Sequence, residues 1–545
     1  MRLVSWLTGP RAGRGAWFST DSASLESWGR ATYPELARDA RRVAADLAAR
    51  QVGRGDVVAV AMPASRECLA AMFGVWAAGA TLCMLPAPGF TVGYESSVSA
   101  ILRVARPAVT FGDTDAVSLL ADAIPLSLPG ELAEVAPACG VAALQFTSGS
   151  TGSPRGIELS WENLDANIEV ISRWLRWRDG DAIASWLPLN HDMGFVGCLL
   201  TAIANQGDLW LMQPYQFTRS PRRWLWSLSS GRACHTASPP FGYAYAARRA
   251  SFDGLDLSGW RSAIVGAAAI GPSALQTFAA AAGPGNFPAS AFLPAYGLAE
   301  NTVAVTGSRS GRAVRPDWQV LRFGSPVKVL QSAPLLAADP SCPARAAGPP
   351  SSPSARNAGG WLTGHGMPSP DDGIGVTIYD ESGAELPAGS LGEIIVTGTS
   401  VARGYRGEEP FEGVLRTADA GFVYDGDLYV LGRMGESLKV RARSVYMEDL
   451  DARVEAAAGF ERIAVVAVSD GGRPGVAVFA EARPGAWVAS VVAALRAELG
   501  PEPVVSLIVG RRGLIRRTSS GKPRRREMWR LWSAGELQGE VVAES

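Results

Sequence analysis

The sequence predicts an α/β protein with a large N-terminal domain and a small α+β domain at the C-terminal end. Three observations predict it. The chain has 545 residues, too many for one compact core. Apolar positions alternate between a helical and a strand period through the first half, the pattern of a parallel sheet covered by helices. After "LYVLGRMGES" the pattern restarts as helix, strand, strand, helix, which suits a separate small unit.

The elements follow in order. "TYPELARDARRVAADLAAR" repeats apolar positions at Leu36, Ala40, Val43 and Leu47, one stripe of a helix. "DVVAVAMP" is a short β-branched run ended by proline, and "ECLAAMFGVWAAGATLCMLP" is a small-residue helix entering another strand. The alternation continues in "DAIASWLPL", in "SAIVGAAAI" with the helix "SALQTFAAAA", and in "ASAFLPAYG". Residues 331–360 are dominated by Ala, Pro, Ser and Gly, a composition that cannot supply a packed core, and predict a flexible, insertion-like loop. "GVTIYDESGAELPAGSLGEIIVTG" reads as two strands of a β-rich subdomain. A linker at residues 433–436 then divides a domain of residues 1–432 from one of residues 437–545.

Composition narrows the function. With 47% apolar and 19% charged residues and a net charge of −1, the chain offers no global electrostatic attraction for nucleic acid. No segment approaches the roughly 20 apolar residues needed to span a bilayer, and the N-terminus lacks a signal-peptide pattern. Six scattered cysteines predict reduced thiols and a cytoplasmic protein. Three histidines make a histidine-rich metal site an unfavourable reading.

"LQFTSGSTGSPRG", residues 144–156, places glycines and hydroxyl residues directly after an apolar run. The Walker pattern GxxxxGK[ST] fails, because Gly149 and Gly152 are three apart and Pro154 and Arg155 follow. The dinucleotide pattern GxGxxG fails as well. The physical capacity remains: glycines let backbone amides turn toward an anion, hydroxyls add donors, and Arg155 adds a cation. A plain Ser/Gly turn between two strands explains this segment equally well when it is taken alone.

Other segments decide between the two. "TSGSTGSPRG" resembles the signature TSGSTGxPKG of the adenylate-forming (acyl-activating) superfamily. "AYGLAENT", "GEIIVTGTSVARGY", "RTADAGFVYDGDLYVLGR" and "TSSGKPRRR" resemble four further motifs of that superfamily, in the same order and across nearly the whole chain. "WLPLNHDMGFVG" is similar to a segment of fatty acyl-AMP ligases, which also carry an insertion after the YGLAE motif. The resemblance implies an adenylation domain built from two α/β subdomains and a β-rich subdomain, followed by a mobile C-terminal domain. The reaction it implies is attack of a carboxylate on the α-phosphorus of ATP, with Mg²⁺, to give acyl-adenylate and pyrophosphate. The acyl group would then pass to the phosphopantetheine thiol of an acyl carrier protein.

The resemblance also implies residue roles. Thr147, Ser148, Gly149, Ser150, Thr151, Gly152 and Arg155 would hold the ATP phosphates, and Glu300 would bind Mg²⁺. Gly266, Ala267, Ala268, Tyr296 and Gly297 would border the adenine, and Asp419 with Arg433 would meet the ribose. Lys522 would bridge the attacking carboxylate and the α-phosphate, His191 would stand beside the reacting carboxylate, and Gly435 would be the hinge. Trp186, Phe195 and Trp210 are candidates for an apolar acyl pocket, or for simple core. The basic run "RRGLIRRTSSGKPRRR" would suit an acidic carrier protein.

The chain departs from the family pattern in places. Arg155 replaces the usual lysine, Gly435 stands at a hinge position that is normally Asp or Lys, and Ala442 replaces a glycine beside the thiol's approach path. An acyl-CoA ligase, an amino-acid-activating domain and a degenerate, non-catalytic adenylate-binding module are the competing readings. The apolar "VGCLLTAIA" lacks the acidic residue that an amino acid's ammonium would need.

Overall fold

The computed structural model describes residues 2–88, 94–147, 154–268, 270–309, 311–318, 320–337, 361–434, 437–440, 443–470, 473–501, 503–517 and 523–544. Two large sheets dominate. In the first, strands run in the order Ala304–Gly307, Phe292–Gly297, Ser262–Val265, His235–Ser238, Ala182–Ser185, Asp208–Leu211, Gly15–Ser19 and Trp28–Thr32. Its inner neighbours are parallel and its two edge strands antiparallel. The second sheet runs Gly404–Tyr405, Arg155–Ser160, Val141–Thr147, Thr81–Met84, Val57–Ala61, Val109–Gly112 and Ala123–Pro125, with Arg155–Ser160 antiparallel to both its neighbours and the remaining pairs parallel.

The helices form where the apolar period predicts. Helix Tyr33–Ala49 begins at a capping box in which Thr32 and Glu35 satisfy each other's backbone amides. It buries Leu36, Ala40, Val43 and Leu47 against helix Arg66–Ala77. A Cβ on Gly74 would stand 2.4 Å from Val43 Cβ, so glycine there lets the two helices approach closely.

Strands Ile374–Tyr379, Gly392–Gly398, Val414–Tyr424 and Asp427–Arg433 form an antiparallel sheet with its own buried cluster around Ile394, Val396 and Leu428. Toward the C-terminus, a four-stranded sheet carries helices Met447–Ala458, Trp487–Leu499 and Arg525–Ser533, and its core residues group separately from those of the large sheets. The predicted loop over 331–360 needs correction at its start. Val329–Pro334 is a strand paired with Arg312–Pro316, and Leu335 is buried in the short turn that follows. Backbone hydrogen bonds hold this edge strand, and a composition poor in apolar residues does not register them. Residues 338–360 lie outside the described residues.

No helix among the described residues is long and apolar enough to cross a membrane. Cys68, Cys83, Cys139, Cys198 and Cys234 are unpaired thiols.

Candidate active site

Parallel strands place their carboxyl ends side by side, and the loops that leave those ends build the site. Strand Ser262–Val265 runs into Gly266, Ala267 and Ala268, next to strand Phe292–Gly297, with Val265 in register with Pro294. Ala267 adopts φ 60°, a left-handed conformation that a residue with a side chain rarely takes. Such strain at the mouth of a sheet is characteristic of ligand-contacting loops.

Beyond Tyr296 the chain reverses sharply. A Cβ on Gly297 would lie 1.7 Å from the Val303 carbonyl, so only glycine fits this turn. The reversal carries Glu300 on a short 3₁₀ turn, where its carboxylate is buried and its own carbonyl accepts from the Ala402 amide at 2.9 Å.

Asp419 arrives from the antiparallel sheet. Asp425 and Gly426 both take positive φ, the mark of a type I′ hairpin turn, and the register they set, with one bulge, places Asp419 opposite Arg433. The Asp419 Oδ1 receives Arg433 Nε at 3.0 Å, and the Tyr296 hydroxyl donates to Oδ2 at 2.7 Å. Asp419's charge holds the Arg433 guanidinium above the ordinary arginine range. Burial, then Asp419's charge, raise Tyr296 well above the usual tyrosine range, so its proton stays available to donate. His365 packs edge-on to Tyr296 with ring centroids 6.4 Å apart, and its Nδ1–H donates to the Leu428 carbonyl at 3.3 Å. Burial pushes the His365 imidazole down to about 4.

The Tyr405 hydroxyl donates to Glu300 Oε1 at 2.7 Å. The Arg155 guanidinium carbon lies 3.3 Å from the centre of the Tyr405 ring, and Arg155 Nε donates to Glu408 Oε1 at 3.2 Å. Arg155 thus rests on Tyr405 and Glu408, and its backbone pairs with that of Thr147 across the hairpin that carries the glycine-rich loop. Glu300 also contributes to the rise of the Arg433 guanidinium, after Asp419.

His191 lies at the start of a π-helix, Met193–Leu200, which Asp192 caps by accepting from the Met193 amide at 2.7 Å. π-Turns of this kind gather at functional sites. Gln145 donates to the Asn190 carbonyl at 2.6 Å, tying this segment to the strand that ends at Thr147. Trp186 stacks on Phe217, Trp210 on Trp17, and Phe195 is fully buried near Trp76, so all three aromatic residues belong to the core. Ser148, Gly149, Ser150, Thr151, Gly152, Gly435 and Lys522 lie outside the described residues.

Sequence reasoning missed Tyr405, Glu408 and His365. Tyr405 sits inside the quoted segment "GEIIVTGTSVARGY", and the one available signal was its place in that motif. A cluster of Asp181, Cys234 and His235 lies elsewhere, at the amino ends of the parallel strands. Asp181 there accepts from the Arg178 amide and pairs with both His235 and Arg261, which accounts for it as a buried ion pair of the fold.

An acid paired with an arginine and a tyrosine, a second buried carboxylate, and a hairpin with a glycine-containing sequence are thus contributed by separate elements of the fold. The AMP-binding enzyme family matches residues 16–334, more than half of the chain, and the chain belongs to it. A 4-hydroxyphenylalkanoate adenylyltransferase of Mycobacterium tuberculosis is 30% identical over 467 residues, covering 76% of this chain and 70% of that relative. A long-chain-fatty-acid–AMP ligase of Mycobacterium marinum is 30% identical over 463 residues, covering 76% and 75%. A solved structure from work on the fatty acyl-adenylate ligases of E. coli and L. pneumophila superposes with a TM-score of 0.83 at 28% identity, covering 98% of both chains.

Proposed function

We propose that this enzyme activates a carboxylic acid with an apolar acyl group to its acyl-adenylate, using ATP and Mg²⁺, and hands the acyl group to the phosphopantetheine thiol of a carrier protein in the cytoplasm. The observation that carries the proposal is the engaged Asp419–Arg433–Tyr296 group standing next to buried Glu300. Asp419 is a fixed, charged acceptor for ribose hydroxyls, and the strained Ala267 loop borders the adenine.

In the first step a carboxylate oxygen of the acid bonds to the α-phosphorus, and the bond from that phosphorus to pyrophosphate breaks. Two anions must meet, so the protein's part is charge stabilisation and alignment. Thr147, Ser148, Gly149, Ser150, Thr151, Gly152 and Arg155 grip the phosphates. A buried carboxylate that shares the ion with substrate phosphates is the usual way a protein holds Mg²⁺, and Glu300 fits it. When held there, Mg²⁺ would supply charge neutralisation for the phosphates and the leaving pyrophosphate. The segment 433–436, with Gly435, serves as the hinge between residues 1–432 and 437–545, and Lys522 closes over the α-phosphate. In the second step a thiolate attacks the acyl carbonyl and AMP departs. The relatives' names point to aryl and long-chain acids for those proteins, and an apolar acyl group is common to both.

The test is a mass-spectrometric endpoint assay with ATP, Mg²⁺ and a panel of carboxylic acids, run without acceptor, with coenzyme A and with holo carrier protein. The proposal expects acyl-AMP that moves to the carrier protein alone. Acyl-CoA would replace it with an acyl-CoA ligase, and absence of adenylate from every acid would leave a non-catalytic binding module. Lys522→Ala should cut adenylate formation by about 10²- to 10³-fold while ATP still binds. Full adenylate formation by that variant overturns the assigned mechanism.

A further inference from the structure

Tyr405 reaches Glu300 from a separate part of the chain. Gly404–Tyr405 is a two-residue strand added to the edge of the seven-stranded sheet, with Tyr405 opposite Ile157 and Gly404 opposite Glu158. Flanking amides fasten it: Arg403 N–H donates to the Glu158 carbonyl at 3.0 Å and Arg406 N–H to the Gly156 carbonyl at 2.8 Å. Gly404 itself takes φ 149°, and a Cβ there would stand 3.1 Å from the Glu409 carbonyl, so the approach to Tyr405 is built for glycine.

The Tyr405 side chain is then held on three sides. Arg155 covers one ring face at 3.3 Å, Phe411 meets the ring edge-on with centroids 5.2 Å apart, and the hydroxyl ends on Glu300 Oε1 at 2.7 Å. Glu408 fixes the Arg155 guanidinium through both carboxylate oxygens. A two-residue edge strand has little structural need for so many fixed partners. What they determine is the rotation of the Glu300 carboxylate, because a donor held on one oxygen sets the direction of the other.

We infer that Tyr405 is a positioning residue for the carboxylate proposed to hold Mg²⁺: clamped by Arg155 and Glu408, it holds Glu300 Oε1 and so fixes the rotation of that carboxylate. The inference rests on the proposed reading of Glu300 as the metal ligand. Hydrogen bonds to a ligating carboxylate orient the ligand and tune its affinity, and their loss costs about 10- to 100-fold in metal binding or activity. The clamp also links the hairpin that carries the glycine-rich loop to Glu300. Arg155 is the first residue of the strand leaving the glycine-rich hairpin, so the strand that follows the phosphate loop and the metal carboxylate share one side-chain chain, Glu408–Arg155–Tyr405–Glu300. On this account the arginine that replaces the signature lysine has a second task, because a planar guanidinium can lie flat on a ring as an ammonium cannot.

The experiment uses the full chain with Mn²⁺ as the probe, bound ion counted by electron paramagnetic resonance in the presence of α,β-methylene-ATP. Tyr405→Phe keeps the ring and removes the hydroxyl. The variant should bind Mn²⁺ about 10- to 100-fold more weakly and bind metal-free analogue within about twofold of the parent, with a matching rise in half-saturating Mg²⁺ for adenylate formation. Parental Mn²⁺ affinity in Tyr405→Phe, with weakened affinity in Glu300→Gln, overturns the inference and leaves the reading of Glu300 standing. Parental affinity in Glu300→Gln removes that reading and the inference with it. Equal losses of metal-free analogue and of Mn²⁺ in Tyr405→Phe mean a general structural role, which also overturns it.

Discussion

Asp419 and Glu300 are both buried acids in one site, and the protein holds them in opposite ways. Asp419 stands on a regular hairpin with a cation on one oxygen and a phenol on the other, each supplied by a strand of a sheet. Glu300 stands on a 3₁₀ turn, and among the described residues its carboxylate hydrogen-bonds to Tyr405 through Oε1. The difference matches the ligands proposed for them. A neutral ribose needs an acceptor whose charge is already balanced, because an unpaired buried carboxylate would be costly. A divalent cation brings its own balancing charge, so its ligand needs orientation more than an ion pair of its own. Direct ion pairing within the protein would therefore distinguish the proposed nucleoside acid from the proposed metal acid.

Removing each acid sharpens this contrast. Asp419→Ala takes away the balancing charge of Arg433 and leaves the Tyr296 hydroxyl without its acceptor, so it should act on stability and function together. The expected outcome is a rise in KM for ATP of about 10²-fold, with about 1–3 kcal/mol lost from folding stability. ATP titration of adenylate formation and urea unfolding check the two. Glu300→Gln, of nearly the same shape, should leave unfolding within about 0.5 kcal/mol of the parent. Equal destabilisation by both substitutions would break the comparison, since it would mean that Glu300 is as firmly built into the fold as Asp419.

Acid should strain the Asp419 side through His365. His365 is fastened to the Asp419 hairpin, its amide donating to the Leu428 carbonyl at 2.9 Å and its ring facing Tyr296. Burial depresses its pKa to about 4, so between its ordinary value and about 4 the unfolded chain binds a proton that the folded chain does not. Stability therefore falls as pH drops through that window, by about 3 kcal/mol from this group in total, and depends on it no further below about pH 4. Urea midpoints between pH 7 and 4.5 measure the slope. His365→Gln, which retains a donor toward Leu428, should flatten it, and an identical slope in that variant removes His365 as the cause.

The halves of the site also differ in how far the sequence disclosed them. Asp419 and Arg433 were expected from the resemblance of "RTADAGFVYDGDLYVLGR" to a family motif, and the local DG turn in that segment explains the pairing the structure shows, with one bulge between Ala420 and Gly421. The helices and parallel strands were legible for a local reason, that their apolar period is written in neighbouring residues. Tyr405 and Glu300 are 105 positions apart and meet because an edge strand adds to a sheet whose other strands come from earlier in the chain. No local period encodes that meeting. His365 offered no motif, and the strand at 329–334 is held by backbone bonds within an unpromising composition. Trp186, Phe195 and Trp210 illustrate the converse, since aromatic residues near a site motif proved to be packed core.

Tyr296 gives the finest test, because it joins the two halves. It was expected from its motif beside the adenine, and the structure adds a hydroxyl donated to Asp419. Tyr296→Phe preserves the ring and removes that one bond while leaving the Arg433 ion pair in place. Asp419 then keeps its charge balance and loses one of its fixed directions. A bond to a charged acceptor contributes about 1.5–3 kcal/mol, and Arg433 and ribose can recover part of it, so KM for ATP should rise about fivefold, well short of the Asp419→Ala effect. Half-saturating Mg²⁺ should stay within about twofold of the parent, since Glu300 takes its orientation from Tyr405. A Tyr296→Phe enzyme whose Mg²⁺ demand rises in step with its KM for ATP would show that the two acids share one hydrogen-bonded unit. In that case the separation between a balanced nucleoside acid and an oriented metal acid would not hold.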